Sequence, residues 1–510
     1  MPGRGPRKPA AQARSHALRV RRIGIDTYLE PVLYMRADCP ACRAEGFESR
    51  SRVRVALNGS EIVATLNVVT GHLLAPDEAG LSDSAWRALG AKDGDHIHVS
   101  HPAPVASDSR LRAKVYGERL SDEDFRAIID DVAHGRYSDL QLAAFVTASA
   151  GDRLSETETL GLTRAMIATG EQVRWPYPVV ADKHSFGGLP GNRTTPLVVA
   201  IVAAGGLPIP KTSSRAITSP AGTADTMETL APVDLDVPTM RRVVEREGGC
   251  IAWGGAVRLS PADDVLIRVE RPLDFDSDGQ AVASILSKKA AAGATHVVID
   301  MPVGPTAKIR TEHALRTLSS TLHTVAAALG LKLRILPTDG SQPVGRGIGP
   351  ALEARDVLAV LQNAPHAPQD LRKRALALAS ELLEFGAAVP AGAGLAAATT
   401  ILDDGRAWRK FQAICEAQGG MRTPPQSSHR KDYRSLTSGI VAGFDNRRLG
   451  RVAKLAGAPR SPAAGLELHV RVGDRVQAGQ PLFTLHAEAK GELQYGLDYL
   501  AAQNDIVKIT

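Results

Sequence analysis

The sequence predicts a multidomain α/β protein, in which a helical domain and an α/β domain with a mostly parallel sheet lie between β-rich N-terminal and C-terminal domains. The chain of 510 residues exceeds what a single hydrophobic core organises, so several domains are expected. From residue 177 onward, short apolar stretches of strand length alternate with helical stretches, which is typical of a largely parallel sheet. Near both ends of the chain, apolar and polar residues alternate with a period of two, which indicates β-rich domains.

Changes of pattern along the chain define the expected domains. Ser121 with Asp124 and Ser155 with Glu158 have the spacing of helix capping boxes, so helices are predicted to begin there. We expect a disordered basic tail (1–20), an N-terminal β-rich domain (21–101), a helical domain (102–178, joined by 258–292), an α/β domain (179–430) and a C-terminal α+β, barrel-like domain (431–510).

The charge of the chain is concentrated at its start. The formal net charge is +6, but the first 22 residues hold seven basic residues and no acidic one, so the remainder carries a net charge of −1. A tail rich in Pro, Ala and Gly is predicted to be disordered and solvated, and this interpretation is favoured over contact with RNA or a membrane. Aromatic residues make up only 4% of the chain, which argues against a stacking platform for single-stranded nucleic acid. We therefore expect no nucleic-acid partner.

The sequence lacks the signals of membrane proteins and secreted proteins. It has no apolar run of about 18 residues and no apolar segment of a secretory signal. Its four cysteines do not form a disulfide framework, so we expect a cytoplasmic protein without a membrane partner. Cys39 and Cys42 have the spacing of half a zinc site, with His96, His98 and His101 as the nearby histidines. A single pair of thiols is a weak signal, and no metal site is predicted.

Two polar segments follow consecutive predicted strands. The first, "DKHSFGGLPGNRTTP" (182–196), comes after the apolar "YPVV" and before an apolar helix, so by itself it fits an anion site or a tight turn equally well. The second, "KTSSRAITSPAGTAD" (211–225), places six hydroxyl side chains around Arg215. Because ligands bind beyond the carboxyl ends of parallel strands, the two segments together favour a shared anion site over two ordinary loops.

A third segment combines carboxylates with a Ser/Lys pair. Asp274, Asp276 and Asp278 alternate, so their mutual repulsion would raise one pKa and keep a proton available at neutral pH. The alternative is a helix N-terminus that attracts acidic residues. Ser284 and Lys288 are four residues apart and share one face of the following helix, although such pairs usually lie at the surface. The residues themselves leave both interpretations open.

Taken together, these segments resemble the thymidine and pyrimidine-nucleoside phosphorylase family, which also contains the archaeal AMP phosphorylases. The matching motifs occur in the family's order across about 120–360 and are "DKHSFGG", "SSRAITSPAGTADTME", "ASILSKK", "VIDMPVG" and "QPVGRGIGPALEARDVL". The resemblance implies phosphorolysis, in which phosphate attacks C1′ and releases the base; with thymidine the products are thymine and 2-deoxyribose 1-phosphate. "GGLPGN" and "SSRAITS" are similar to the longer branch of the family. The alternative substrates are therefore nucleoside 5′-monophosphates, which would give base and ribose 1,5-bisphosphate.

The resemblance also implies a set of site residues. It makes Asp276 the proton donor to the leaving base, places His184 beside the base, and assigns phosphate binding to Lys183, Ser185, Thr195, Ser213 and Thr223. It assigns substrate binding to Gly188, Ser214, Arg215, Ala216, Ile217, Thr218, Ser219, Arg271, Ser284, Lys288 and Lys308. Arg271 matches only across a two-residue gap, and Pro220 replaces a small residue of the relatives. The family further implies no cofactor besides the substrate phosphate, no metal, and a homodimer or higher homo-oligomer.

Two other classes of function are weighed against this one. The segment "VGDRVQAGQPLFTLHAEAKGEL" resembles domains that carry biotin or lipoate, but Lys490 is displaced from the usual position and flanked by Ala489 and Gly491. We therefore interpret the segment as a structural cap. A non-catalytic homologue would have no need to retain all of the residues Lys183, Ser185, Thr223, Asp276, Ser284 and Lys288.

Overall fold

The computed structural model describes residues 17–187, 189–216, 219–273, 277–503 and 505–510, with the backbone alone at Arg271. The chain divides into two compact units. The smaller unit comprises Met1–Arg112 and Asp130–Phe145, and the larger comprises Ala113–Ile129 and Val146–Thr510. The fold class predicted from the sequence is confirmed: a helical region and an α/β region with parallel strands lie between β-rich ends.

A closed six-stranded barrel forms most of the smaller unit, with strand order β1-β5-β2-β4-β3-β6. Its elements are β1 (Ala17–Arg22), β2 (Val32–Arg36), α1 (Pro40–Glu45), β3 (Arg52–Leu57), β4 (Ser60–Val69), β5 (Glu78–Leu81), α2 (Asp83–Leu89) and β6 (His96–Ser100). The period-two pattern places alternate residues inside, as with Val53, Val55 and Leu57 of β3. The β1–β5 and β2–β4 pairs are parallel, and the other pairs are antiparallel.

Two details of the barrel refine the sequence interpretation. The expected tail (1–20) overlaps β1, because Ala17–Arg22 pairs with both β5 and β6 and Arg19 donates to Glu78 at 2.6 Å. The Cys39 thiol accepts a hydrogen bond from the Cys42 backbone and so caps α1, and both thiols are buried. Burial raises the pKa of Cys42 to about 12, which suits a structural thiol. Across the described ranges, no cluster of three or more potential metal-ligating side chains occurs.

Four helices follow the barrel, namely α3 (Asp108–Val115), α4 (Asp122–Ala133), α5 (Asp139–Ala148) and α6 (Glu156–Ala168). Both predicted capping boxes are present: the Asp124 carboxylate accepts from the Ser121 backbone, and Glu158 does the same for Ser155. Within the larger unit, the buried Glu158 also accepts from Lys114 Nζ at 2.6 Å. No described helix is both long and apolar enough to cross a bilayer.

The α/β region is built on parallel strands. Three of them form a sheet of order β11-β10-β7, and β8 pairs with β9; the Ala181 backbone donates to Pro208 at 2.8 Å, which sets β8 beside β7. The elements are β7 (Ala181–Ser185), α7 (Thr195–Ala204), β8 (Ile209–Ser213), α8 (Thr223–Glu228), α9 (Val237–Glu247), β9 (Gly249–Trp253), α10 (Gly254–Val257), α11 (Pro261–Leu273), α12 (Asp278–Ala291), β10 (His296–Val303), α13 (Glu312–Ala328), β11 (Lys332–Asp339), β12 (Gly347–Ile348), α14 (Pro350–Leu361), α15 (Gln369–Phe385), α16 (Gly394–Asp403) and α17 (Arg406–Ala417).

Helices on both faces of these strands supply the core. Helix α7 is apolar on every side and is buried from Thr195 to Ala203, which is the pattern of a helix inside a core. Helix α12 packs beside α6, and its Ser277 and Gln280 side chains donate to the backbone carbonyls of Ser149 and Val146. Parallel strands with helices on both faces leave the carboxyl ends of the strands as the edge where polar side chains gather.

One strand lies later in the sequence than predicted. The apolar "YPVV" (177–180) is the stretch that the sequence pattern marks as a strand, but β7 is Ala181–Ser185. Its register with β10 runs from Ala181 opposite His296 to Ser185 opposite Asp300. Lys183 and His184 therefore lie on the strand itself and not in the loop. The predicted position was wrong because the end of β7 carries polar residues in place of the apolar ones that are usual in strands.

The C-terminal region contains two small antiparallel sheets, of order β12-β15-β17-β13 and β16-β14-β18. Its elements are β13 (His429–Arg434), β14 (Gly439–Phe444), α18 (Asn446–Leu455), β15 (Gly465–Leu468), β16 (Arg475–Val476), β17 (Pro481–Ala487), α19 (Lys490–Ala502) and β18 (Val507–Ile509). Lys490 is the first residue of α19, so it does not lie in a hairpin between two strands, as the modified lysine of a carrier domain does. The core of this region is formed by residues such as Phe483, Leu485 and Val452.

Candidate active site

A buried lysine surrounded by hydroxyl groups marks the carboxyl end of β7. Lys183 is 0% exposed, and its Nζ donates to the hydroxyl oxygens of Ser185 at 2.5 Å, Thr194 at 2.6 Å and Thr195 at 3.4 Å. An ammonium group has three donors, so all of its protons are directed at these oxygens. Burial lowers the pKa of Lys183 to about 8, although the nearby Asp300 acts in the opposite direction.

Asp300 of β10 organises the same cluster, and sequence reasoning missed it. This fully buried carboxylate accepts from Ser185 Oγ at 2.9 Å, from Asn192 Nδ2 at 2.8 Å and from Thr338 Oγ1 at 2.5 Å. Its position in the motif "VIDMPVG" looked like an ordinary apolar strand with one acid. The signal that could have identified it is the register, because Asp300 lies opposite Ser185 in the parallel pair of β7 and β10.

Arg193 joins the two polar segments recognised in the sequence. Its Nε donates to Glu353 of α14 at 2.6 Å, one terminal nitrogen donates to Thr223 Oγ1 at 2.7 Å, and the other donates to the Ala221 carbonyl at 2.8 Å. Thr223 begins α8, so this guanidinium links the loop after β7 to the loop after β8. Gly191 permits the close packing of the first loop: its φ is +72°, and a Cβ there would lie 2.0 Å from the Val344 carbonyl oxygen.

His184 lies among several buried cations. Asp182 is paired with Lys289 at 2.8 Å and with Lys211 at 3.4 Å, and all three side chains are buried. Burial, together with Lys289, Lys211, Lys183 and Lys288 in that order, lowers the pKa of His184 well below its ordinary value. The imidazole is therefore neutral at physiological pH, which suits hydrogen bonding to an uncharged heterocycle. Lys211 itself has its pKa lowered to about 7, chiefly by burial, with Asp182 acting in the opposite direction.

A second lysine cluster lies on α11 and α12. Lys288 contacts the Asp263 carboxylate and donates to Ser284 Oγ at 3.3 Å, while Ser284 Oγ donates to Asp263 at 3.0 Å. Burial alone would disfavour the Lys288 ammonium, but Asp263 raises its pKa above the ordinary value. The predicted Ser/Lys pair thus shares a buried carboxylate, whereas such pairs usually lie at the surface. Asp263 was not identified from the sequence.

Two further groups lie near this cluster. Lys308 is exposed, its Nζ lies 5.3 Å from the centre of the Phe186 ring, and its Cβ would be 2.9 Å from a Cβ added at Gly187. It therefore borders the loop that leaves β7. Burial raises the pKa of the half-buried Glu270 to about 7, with Asp263 adding to the shift and Lys308 opposing it. Glu270 is thus a carboxyl group that is partly protonated near neutral pH.

The hydroxyl-rich loop after β8 is shaped by Asp225, which accepts from the backbone of Ala216 at 2.7 Å and of Gly222 at 2.9 Å. Arg215 is bound to Glu228 through both terminal nitrogens and lies 4.7 Å over Trp253, so its guanidinium is held by carboxylates within the chain. Its predicted contact with substrate stays a prediction. Pro220 of this loop faces α18, where a Cβ added at Gly450 would lie 3.6 Å from its ring.

Other predicted residues are placed less completely. Ser214 and Ser219 belong to the same loop, and the Ser219 hydroxyl donates to the Ala221 carbonyl at 2.9 Å. The buried oxygens Ser213 Oγ and Asn192 Oδ1 have no hydrogen-bond partner among the described residues, which is uncommon for buried polar atoms. The predicted residues Gly188, Ile217, Thr218 and Asp276 lie outside the described residues, and so does the side chain of Arg271.

The electrostatics of the site favour an anion at the end of β7. Lys183 is surrounded by hydroxyls, and the carboxylate Asp300 is already engaged by three donors. A hydroxyl that accepts from Lys183 keeps its own proton for another acceptor. Thr194 and Thr195 therefore present O–H donors at the first turn of α7, where backbone N–H groups also lack partners within the helix.

The fold and site define a glycosyl transferase with a helical bundle domain and an α/β domain. Residues 109–170 match the model of the glycosyl transferase family helical bundle domain, and residues 177–408 match that of the family's a/b domain. Residues 440–506 match the pyrimidine nucleoside phosphorylase C-terminal domain. Anthranilate phosphoribosyltransferase (TrpD) from Thermus thermophilus has the same fold over 60% of this chain and 98% of its own, with a TM-score of 0.51 at 18% identity.

Full-length relatives narrow the assignment. The chain is 64% identical over 504 residues to a protein of Polaromonas sp. (strain JS666) named "Putative thymidine phosphorylase", covering 99% of both chains. A protein of the same name from Legionella pneumophila subsp. pneumophila (strain Philadelphia 1) is 59% identical over 96% of this chain and 95% of its own. One from Maricaulis maris (strain MCS10) is 58% identical, with 98% and 97% covered. This chain belongs to the thymidine and pyrimidine-nucleoside phosphorylase family and is a pentosyltransferase of the phosphorylase type.

Proposed function

We propose that this enzyme is a thymidine phosphorylase: inorganic phosphate attacks C1′ of thymidine, releasing thymine and forming 2-deoxyribose 1-phosphate. The observation that carries the proposal is the Lys183 cluster, a buried ammonium whose three protons are directed at hydroxyl oxygens and not at a carboxylate. The names of the full-length relatives support the choice of nucleoside.

The phosphate would be held mainly through hydroxyl groups. Lys183 directs its protons to Ser185, Thr194 and Thr195, so these hydroxyls would offer their own protons to phosphate oxygens. Ser185 donates to Asp300, and phosphate binding would require it to turn away from that carboxylate. Ser213, at the end of β8, and Thr223, at the start of α8, would add two further hydroxyl donors to the phosphate. Hydroxyl donors hold an anion without neutralising it, which leaves a phosphate oxygen reactive.

The leaving base would be received by the second cluster. Ser284 and Lys288 would contact its polar atoms, with the neutral His184 beside it. Asp276 is assigned as the proton donor on the family resemblance, since it lies outside the described residues. The reaction needs positioning and stabilisation of a leaving group more than covalent catalysis, so we propose that it requires no cofactor besides substrate phosphate.

One feature favours a second candidate, a nucleoside 5′-monophosphate as substrate. Lys308 is an exposed cation beside the loop that leaves β7, where a sugar 5′-phosphate would extend from a nucleoside bound between the two clusters. This arrangement agrees with the resemblance of "GGLPGN" and "SSRAITS" to AMP phosphorylases. The product would then be ribose 1,5-bisphosphate.

The test is to incubate the enzyme and phosphate with thymidine, uridine, AMP and CMP separately and to quantify free base. We expect thymine from thymidine, dependent on phosphate. Release of base from AMP or CMP but not from thymidine would replace the proposal by the second candidate. Release of no base from any of them would refute both.

Lys308→Ala distinguishes the two candidates within one protein. If the 5′-phosphate is recognised, this variant raises the KM for AMP far more than that for thymidine, because only AMP carries the anion. Equal effects on both would exclude the nucleotide candidate. Lys308→Arg is the matched control, since it keeps the positive charge.

A further inference from the structure

We propose that Arg193 is a positioning residue for phosphate, which orients the Thr223 hydroxyl and joins the two loops that enclose the anion. The inference rests on the proposed function, because it concerns the site at which the substrate phosphate binds. The family resemblance drawn from the sequence gives Arg193 no role.

The first step concerns the proton of Thr223. A terminal nitrogen of Arg193 donates to Thr223 Oγ1 at 2.7 Å, so this oxygen accepts. A guanidinium has only donors, which means that the hydroxyl proton cannot point back at it. The Thr223 O–H is therefore directed elsewhere, and a phosphate oxygen is the acceptor that the site would supply. Lys183 likewise donates to the hydroxyl oxygens of Thr194 and Thr195, so their protons are also directed elsewhere.

The second step concerns how the guanidinium is held. Its Nε donates to Glu353 at 2.6 Å, and the Glu353 side chain is only 1% exposed. The same carboxylate oxygen accepts from the buried Thr226 of α8 at 3.1 Å, and the other carboxylate oxygen accepts from the Gly349 backbone at 3.3 Å. Glu353 is thus fixed to α8 and to the start of α14. Because Arg193 is bound on three sides, its fork geometry leaves little freedom to rotate.

The third step concerns which hydroxyl groups Arg193 and Lys183 each contact. Arg193 donates to the Ala221 carbonyl at 2.8 Å, just before α8, while it lies one residue before Thr194. One side chain thereby sets the separation between the first turn of α7 and that of α8. The hydroxyls that Lys183 contacts belong to β7, to the first loop and to the first residue of α7, and none belongs to the loop after β8. Without Arg193, the Lys183 cluster would persist but Thr223 would lose its orientation.

Arg193→Gln tests the inference in the full-length enzyme, with base release measured against phosphate and against nucleoside. We expect the KM for phosphate to rise about tenfold or more, because an oriented donor to a charged oxygen is lost, while the KM for nucleoside stays within about twofold. Thr223→Val should raise the phosphate KM similarly. The double variant should be no worse than Thr223→Val alone, since Arg193 acts through that hydroxyl.

Variants with neutral partners separate this role from a structural one. Arg193→Gln leaves the Glu353 carboxylate buried without its cation. The double variant Arg193→Gln, Glu353→Gln removes that unpaired charge as well. The phosphate KM of this version should be raised as much as in Arg193→Gln. Arg372→Gln, which breaks the 2.5 Å ion pair with Asp403, is the matched control for loss of an arginine salt bridge elsewhere. It should leave both KM values unchanged.

The outcomes separate the inference from the proposed function. Wild-type enzyme that releases no base refutes the proposed function. Active wild type whose Arg193→Gln and double-Gln variants keep a normal phosphate KM refutes the positioning role alone. Equal rises in both KM values also refute it, because a general disturbance of the fold would produce them. Fully additive effects of Arg193→Gln and Thr223→Val refute it as well, because they would show that the two residues act independently.

Discussion

The two lysine clusters of the larger unit solve the burial of a cation in opposite ways. Lys183 has hydroxyl partners, and burial lowers its pKa to about 8. Lys288 has a carboxylate partner, Asp263, which raises its pKa in spite of burial. Lys183 is fully buried and the Lys288 side chain is 19% exposed; Lys183 directs its protons at hydroxyl oxygens, whereas Lys288 contacts a carboxylate directly.

This difference assigns a kind of ligand to each cluster. Lys183 is fully buried and its ammonium contacts hydroxyls, with Asp300 nearby but reached through Ser185, so an incoming anion would stabilise this ammonium and the cluster is suited to phosphate. A neutralised pair offers directed donors without attracting charge, so the Lys288 cluster is suited to an uncharged base. On electrostatic grounds we therefore expect phosphate at the Lys183 cluster and the base at the Lys288 cluster.

The largest effect is expected from removing the ammonium group of Lys183, which contacts only hydroxyl oxygens. Lys183→Met keeps the length and apolar stem of the side chain but removes the ammonium that orients three hydroxyls. We expect kcat/KM for phosphate to fall about 1000-fold, because several charge-assisted contacts to the phosphate weaken together. Steady-state kinetics with varied phosphate measure this.

Lys288→Met is the paired control, with the larger loss expected against nucleoside. Comparable losses against phosphate in both variants would contradict the division into an anion side and a base side. Unfolding curves of both proteins would reveal whether either variant has lost its fold.

A smaller effect is expected from breaking the balance at the second cluster. Asp263→Asn removes the carboxylate that contacts Lys288, so the pKa of Lys288 should fall, with Asp264 and Glu270 still acting in the opposite direction. The KM for nucleoside should rise about 30-fold, since truncating one member of a buried pair also leaves the other misplaced. The KM for phosphate should remain near that of wild type. A phosphate KM that rises in parallel would show that the two clusters are one electrostatic unit.

The smallest effect is a pH dependence confined to one substrate. The folded pKa of Lys183 is lowered to about 8, so its ammonium is lost as the pH rises through that value, whereas the raised pKa of Lys288 keeps that group charged. Between pH 8 and 9 the KM for phosphate should rise about fivefold, because the protonated fraction of Lys183 falls by that factor, and the KM for nucleoside should change little. Because the unfolded chain binds this proton more tightly, Lys183 should also make the folded state gain stability as the pH rises above about 8. A flat phosphate KM over this range would contradict the assignment.

Sequence reasoning found the elements whose signals are local. The capping boxes at Ser121 and Ser155 depend on residues three apart, and both are present. The alternation of strands and helices, together with the family motifs, predicted the fold class. The predicted position of β7 was too early in the sequence, because the strand contains polar residues and the prediction relied on apolar stretches.

The residues that sequence reasoning missed act over long separations in the chain. Asp300 meets Ser185 across 115 residues, and Glu353 meets Arg193 across 160. Such partners become visible only when the register of the strands and the packing of the helices are known. Asp263, which joins Ser284 and Lys288, was hidden by the ordinary acidic start of a helix.

Helix α7 bears on any attempt to evolve the enzyme towards new substrates. It carries the Thr195 hydroxyl of the Lys183 cluster at its first turn, and its residues from Thr195 to Ala203 are all buried. Random libraries on this helix would mostly yield cavities or overpacked cores. Diversity is better directed to the exposed positions around Lys308, which border the loop that leaves β7 and are not part of the core.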